Sequence, residues 1–180
     1  MTKIILGLAG EIASGKGTVA NYIVEKYNGR VHKFSTILRD ILGRIYLEES
    51  RTNMQTLSTV LRKNFGQELF SRVIAEDIKR DNSEIVIVDG IRRESDIEHL
   101  RKMEGFRLVY IETDMRIRYE RIIKRGENAD DNQKTFEEFE KDHEGEAELQ
   151  IKGLKEIADV VLDNNETLEA LHHQVDGILK

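Results

Sequence analysis

The chain has 180 residues, enough for one core with a small appendage and too few for two independent cores. Hydrophobic residues make up 39%, so a core can be buried without staples, and the absence of cysteine excludes disulfides, thiolate nucleophiles and cysteine-ligated zinc. With 28 Lys and Arg against 34 Asp and Glu, the net charge of -6 argues against a generalist nucleic-acid or anionic-membrane binder, which needs a basic field.

The first ten residues are apolar but meet Glu11 and Lys16 too soon for a signal-peptide core or a membrane span, so they read as a buried strand from Lys3 to Leu8, with the cytoplasm as the expected location. There is no proline, so turns fall to Gly, Asn, Asp and Ser. Gly10-Glu11-Ile12-Ala13-Ser14-Gly15-Lys16-Gly17-Thr18 has the Gly-x4-Gly-Lys spacing between that strand and a helix whose Val19, Ile23, Val24 and Tyr27 share one face. Small residues let successive N–H groups curl around a phosphate, the helix N-terminus adds partial positive charge, and Lys16 reaches the β- and γ-phosphates. ATP is the expected donor and Mg²⁺ its metal. Gly17 stands where such loops carry Ser or Thr, so Thr18 is the candidate hydroxyl for a metal held through water.

A second strand is expected from Arg30 to Phe34, followed by a stretch, 35–82, with helical periodicity in Ile37, Leu38, Ile41, Leu42, Ile45 and in Leu57, Leu61, Phe65. Within it Arg39 presents a fork suited to a phosphate or else a solvated helix arginine, whereas Arg51 and Arg62 read as exposed. The strand expected from Glu84 to Asp89 is continuously apolar from Ile85 to Val88, as a central parallel strand should be, and ends in Asp89, where ligands of open α/β sheets gather. Asp89 can orient metal-bound water or acceptor, or simply cap the turn before a helix expected over Glu94 to Met103. A fourth strand, Arg107 to Glu112, leads to a basic helix in which Arg121 and Arg125 lie four apart on one face; that spacing repels unless an anion, or a carboxylate such as Glu120 or Glu127, lies between. The polar segment Gly126 to Lys134 is expected to be a flap. Glu137 to Glu148 reads as a solvated helix face with Phe136 and Phe139 as its buried stripe. A fifth strand, Asp159 to Leu162, is followed by Asn164 and Asn165, one of which can cap the last helix or, in the resemblance given below, touch a base. The five histidines, His32, His99, His143, His172 and His173, have no metal spacing and read as packing or surface residues. The alternation predicts an α/β three-layer sandwich with a five-stranded parallel sheet, in one domain over 1–180, and the phosphate-loop motif Gly10 to Thr18 makes the P-loop NTPase type the expected one.

Gly-Lys-Gly-Thr in this place resembles the nucleoside monophosphate kinases, the adenylate kinase-like branch of P-loop proteins. The resemblance implies that 35–82 is a helical acceptor-binding insertion, opened by Ser35-Thr36 with Arg39 as its phosphate arginine, and that Asp89-Gly90-Ile91-Arg92-Arg93 supplies Arg93 to the acceptor phosphate. It implies that Arg121 stacks on the adenine, that Arg125 reaches phosphates, and that 126–141 is a short lid. The lid departs from the family: Asn128-Ala129-Asp130-Asp131 lacks its arginine, and only Lys134 and Lys141 can substitute. Ala158 to Leu168 also resembles the last strand and loop of dephospho-CoA kinases, where the loop lies beside the adenine, although their Asp-x-Pro-Leu-Leu signature is absent. Asp89 to Leu100 is similar to phage-type deoxynucleoside monophosphate kinases and animal phosphomevalonate kinases. The expected activity is ATP-dependent transfer to a small phosphorylated acceptor, first a nucleoside or deoxynucleoside monophosphate and second dephospho-CoA. A nucleotide sensor or weak ATPase is the alternative from another class.

Overall fold

The computed structural model describes residues 2–125, 135–143 and 145–180. In chain order they form β1 (Ile4–Ala9), α1 (Lys16–Tyr27), β2 (Arg30–Lys33), α2 (Phe34–Arg44), α3 (Arg51–Phe65), α4 (Leu69–Arg80), β3 (Ile85–Asp89), β4 (Phe106–Glu112), α5 (Met115–Arg125), α6 (Phe136–Asp142), α7 (Glu146–Gly153), β5 (Val160–Asp163) and α8 (Leu168–Leu179). The strands form one all-parallel sheet in the order β2-β3-β1-β4-β5. All five expected strands are present within a residue at each end, except that Phe34 starts α2 instead of ending β2.

Helices cover both faces. Along β1, Ile5 and Ala9 enter one core with Phe70, Ile74 and Ile78 of α4 and Phe34 of α2, while Leu6 and Leu8 enter the other with Val19, Ala20 and Ile23 of α1 and Leu171 and Val175 of α8. The period of two along a strand delivers alternate side chains to opposite cores, and that is why β1 and β3 read as unbroken apolar runs. Each fully buried Ile or Leu contributes roughly 1.5–3 kcal/mol. Asn28 ends α1 in the left-handed region at φ 55°, a conformation Asn tolerates better than most side chains.

The stretch 35–82 carries the rest of α2, then α3 and α4, and no strand. The helix expected over Glu94 to Met103 is instead two short 3₁₀ turns, Glu94–Asp96 and Leu100–Lys102. Ile97 and Leu100, three apart and both fully buried, suit three residues per turn, and the Asp96 carboxylate is drawn away to the Arg92 N–H at 3.0 Å and to Arg62 at 2.7 Å. Of the expected lid, 126–134 lies outside the described residues. The part from 135 to 141 enters α6 through a capping box in which Thr135 Oγ1 accepts from the Glu138 N–H and Glu138 Oε2 accepts from the Thr135 N–H.

Candidate functional site

The parallel register brings the carboxyl ends of the strands together. Leu8 lies opposite Asp89, Ala9 opposite Tyr110 and Glu112 opposite Asp163, so the loops after β1, β3, β4 and β5 converge on one edge of the sheet.

The loop after β1 owes its shape to two glycines. At Gly10, with φ 143°, a Cβ would lie 2.6 Å from the Ile111 carbonyl oxygen, and at Gly15, with φ 103°, 2.2 Å from Asn164 Nδ2. Gly15 is also the N-cap of α1 and offers no side chain to its first amides, which stay available to an anion. Lys16 folds back over the loop, with Nζ donating to the Gly10 carbonyl at 2.7 Å and the Glu11 carbonyl at 2.8 Å. Burial pushes its pKa down to about 8, assisted by Arg92 and Arg118 and opposed by Asp89 and Glu148. If the loop binds a nucleotide triphosphate through the Lys16 cation, affinity falls as the pH rises through about 8, by up to about tenfold per pH unit for a single linked proton. ATP titrations between pH 7 and 9.5 check this, with Lys16→Ala expected to show a flat profile.

The loop is clamped from β4, α5 and β5. The Ser14 carbonyl accepts from Thr113 Oγ1 at 2.9 Å and from Asn164 Nδ2 at 2.7 Å, and Arg121 donates to the Asn164 carbonyl at 2.9 Å and the Ala13 carbonyl at 3.4 Å. A cavity of about 520 Å³ opens over the loop, within the usual range for small-molecule sites. Ala13, Gly15, Lys16, Gly17 and Thr18 form its floor; Asp89, Arg121, Arg125 and Asn164 wall it, and Ile12 and Leu168 add an apolar end beside Glu166. Gly10 and Ser14 of the loop do not line this cavity, and Ser14 Oγ is buried without a hydrogen bond.

The remaining expected site residues lie outside this cavity. Arg39 donates to Ser35 Oγ at 2.9 Å and pairs with Glu49 at 3.4 Å. Arg93 follows β3, with a buried Nε that has no partner. Asn165 is used locally, accepting from the Asp114 N–H at 2.7 Å, and neither asparagine caps α8: Thr167 does, through the Ala170 N–H. Arg62, expected at the surface, is buried and paired with Asp96, because it lies over the Phe70 ring at 4.7 Å. Arg118, His143, Glu11 and Glu148 form a polar cluster against the back of the loop that the sequence does not announce. Glu148 lies in the stretch read as a solvated face, yet its Oε2 is buried, since Ile151 one turn on packs into the interior.

The fold is shared with solved structures of kinases. The chain matches, over 98% of its length and 98% of the other, the crystal structure of shikimate kinase from Bacteroides thetaiotaomicron with a TM-score of 0.65 at 13% identity, and a gluconokinase from Sinorhizobium meliloti with a TM-score of 0.58 at 14% identity, covering 98% and 91%. At those identities the likeness is one of fold. A family model described as AAA domain matches residues 9–140, and the chain belongs to that family. It is 32% identical over 180 residues to a UPF0200 protein of Methanosarcina mazei, covering 97% of this chain and 93% of that protein, and 28% identical over 178 residues to one of Sulfurisphaera tokodaii, covering 98% and 96%. Among the described residues no helix is long and apolar enough to cross a membrane.

Proposed function

We propose that the chain is a cytoplasmic kinase that transfers the γ-phosphoryl group of ATP, with Mg²⁺, to a small phosphorylated acceptor, a nucleoside or deoxynucleoside monophosphate. The observation that carries this reading is a pair of anion-ready groups at neighbouring strand ends: the open amides of α1 with Lys16 after β1, and Arg93 after β3, whose buried Nε has no hydrogen-bond partner among the described residues. A donor and an acceptor phosphate need two such places. In this reading the loop amides and Lys16 hold the donor phosphates, Arg121 and Arg125 border the donor, and Asn164 and Asn165 shape the base end. Arg39 and Arg93 hold the acceptor. The Arg39–Glu49 pair is exposed and worth little, so an acceptor phosphate can take the arginine over. Phosphoryl transfer is served by positioning and charge neutralisation more than by a strong base. The helices of 35–82 would form the acceptor side of the single domain.

Thr18, exposed on the cavity floor, and Asp89, about a quarter exposed, present a hydroxyl and a carboxylate, hard oxygen donors suited to Mg²⁺ that keeps part of its water. Bound there, the ion supplies charge neutralisation between the phosphates. A Cβ built on Gly17 meets nothing within 4 Å. Gly17→Ser is therefore expected to fold normally, to gain a few tenths of a kcal/mol in helix propensity, and to strengthen the Mg²⁺ dependence of ATP binding. A lower melting temperature would refute the open space at that position.

The direct experiment is ADP production with Mg·ATP, acceptor by acceptor, over nucleoside and deoxynucleoside monophosphates, dephospho-CoA and phosphomevalonate, with Lys16→Ala as the blank. Turnover on a monophosphate that vanishes in the variant supports the reading. Turnover on dephospho-CoA alone replaces the acceptor. ATP binding without acceptor-dependent ADP moves the protein to the sensors or weak ATPases.

A further inference from the structure

Arg118 sits in the most basic stretch of the chain, between Arg116 and Arg121 on α5, yet only 2% of it is exposed. An arginine is buried this completely only when its donors are met. Its Nε donates to the Thr113 carbonyl at 3.0 Å, Nη1 reaches the Ile12 carbonyl at 3.4 Å, and Nη2 lies 3.1 Å from Glu11 Oε1. One guanidinium thus grips both residues that follow Gly10 in the phosphate loop and ties them to the end of β4.

The fourth contact comes from beyond the active-site loops. Arg118 Nη1 is 2.8 Å from Nε2 of His143, the residue after α6, and His143 Nδ1 is 2.6 Å from the Phe139 carbonyl oxygen. A guanidinium can only donate and a carbonyl can only accept, so the partners dictate the imidazole state: neutral, with the proton on Nδ1 and a free pair on Nε2. The Nε2 proton of an imidazolium would point at Arg118. Glu11, His143 and Glu148 bring ligand atoms within 4.8 Å of one another, a set that on distance alone resembles a metal site, but the Arg118 guanidinium already contacts Glu11 and His143.

We propose that Arg118, braced by neutral His143, is a positioning residue for the donor phosphates: it fixes Glu11 and Ile12, so the segment carrying His143 sets how well the phosphate loop is formed. This rests on the reading of that loop as a nucleotide site. The charged groups around His143 are Arg118 from α5, Glu11 from the loop, and Glu148 from α7, with Lys152 of α7 3.9 Å from Glu11 Oε1.

The test uses the full chain as wild type, His143→Gln and His143→Leu, and reads ATP affinity by calorimetry together with amide hydrogen exchange of residues 10–18 in unliganded protein. The Gln oxygen can accept from Arg118, whereas Leu offers no acceptor. His143→Gln is expected to bind ATP within about threefold of wild type, and His143→Leu about ten- to a hundredfold more weakly, the range for loss of a hydrogen bond to a charged group. The unliganded loop should exchange faster in His143→Leu. If His143→Leu does not fold, His143→Met takes its place. The proposal is overturned if the apolar variant binds ATP and protects its loop like wild type, or if it and His143→Gln are equally impaired. A wild type that binds no ATP instead overturns the kinase reading, and loop exchange still decides the role of Arg118.

Discussion

Asp96→Ala is expected to lower the free energy of unfolding by about 3–5 kcal/mol, the range for removing one partner of a buried ion pair. The side chains of Arg62 and Asp96 are 9% and 3% exposed, and Nη2 meets Oδ1 at 2.7 Å. The other carboxylate oxygen accepts the Arg92 N–H at 3.0 Å, and the second guanidinium amino group donates to the Gln67 carbonyl. Deleting the carboxylate strands a charge and a backbone donor in the interior, where water cannot replace it cheaply. For a chain of this size the melting temperature should fall by roughly 6–20 °C. Arg62→Met combined with Asp96→Leu should recover much of the loss, because the cost lies in the uncompensated charge; equal losses in single and double variants would contradict this. The pair also fastens α3 to the turn bearing Arg93, so in the proposed kinase reading acceptor binding should weaken in Asp96→Ala before the protein melts.

If the chain is the kinase proposed, Lys16→Ala is expected to cut ATP turnover by about 10²–10³-fold, the effect of deleting one preorganised donor aimed at developing charge. Its effect on stability should run the other way. Burial holds the Lys16 pKa near 8 against an ordinary 10.5, so the folded state disfavours the charge. That penalty is present in full below pH 8, shrinks between about pH 8 and 10.5 as the folded protein binds fewer protons than the unfolded chain, and is gone above. At pH 7 the unliganded variant should melt no lower than wild type, and the difference should narrow toward pH 10. A variant that loses turnover and stability together would mean that the two carbonyl contacts of Lys16 outweigh its desolvation. The expected division is the familiar one in which a functional group is kept at some expense in stability.

Much of the architecture is legible in the sequence because its signals are local. Ile85-Val86-Ile87-Val88 can be little but a strand buried on both faces, and Gly10 to Thr18 joins strand to helix with glycines where the backbone leaves the ordinary regions. Thr18, Asp89, Arg121, Arg125 and Asn164 do meet at one cavity. What is hidden depends on distant partners. Arg62 and Arg118 look like solvated helix arginines until Asp96 and His143, far along the chain, are brought to them. His143 and Glu148 sit in an acidic stretch whose average character conceals two inward-facing positions. The misread segment Glu94 to Met103 has helical composition, but Asp96 spends its carboxylate on tertiary partners.

The place of β1 in the sheet also governs when the molecule can work. Ile4 pairs with Ile85 and Ile5 with Phe106, and each contact closes a loop about half the chain long or more, a slow kind of ordering. A nascent chain emerging from the ribosome therefore carries the whole Gly10 to Thr18 sequence early and no phosphate cradle until the fourth strand has been made. With no proline in the chain, any slow refolding phase of the monomer belongs to this long-range strand assembly, not to prolyl isomerisation. If the loop is the proposed nucleotide site, nucleotide added during refolding should act late, trapping the finished sheet without hastening its formation.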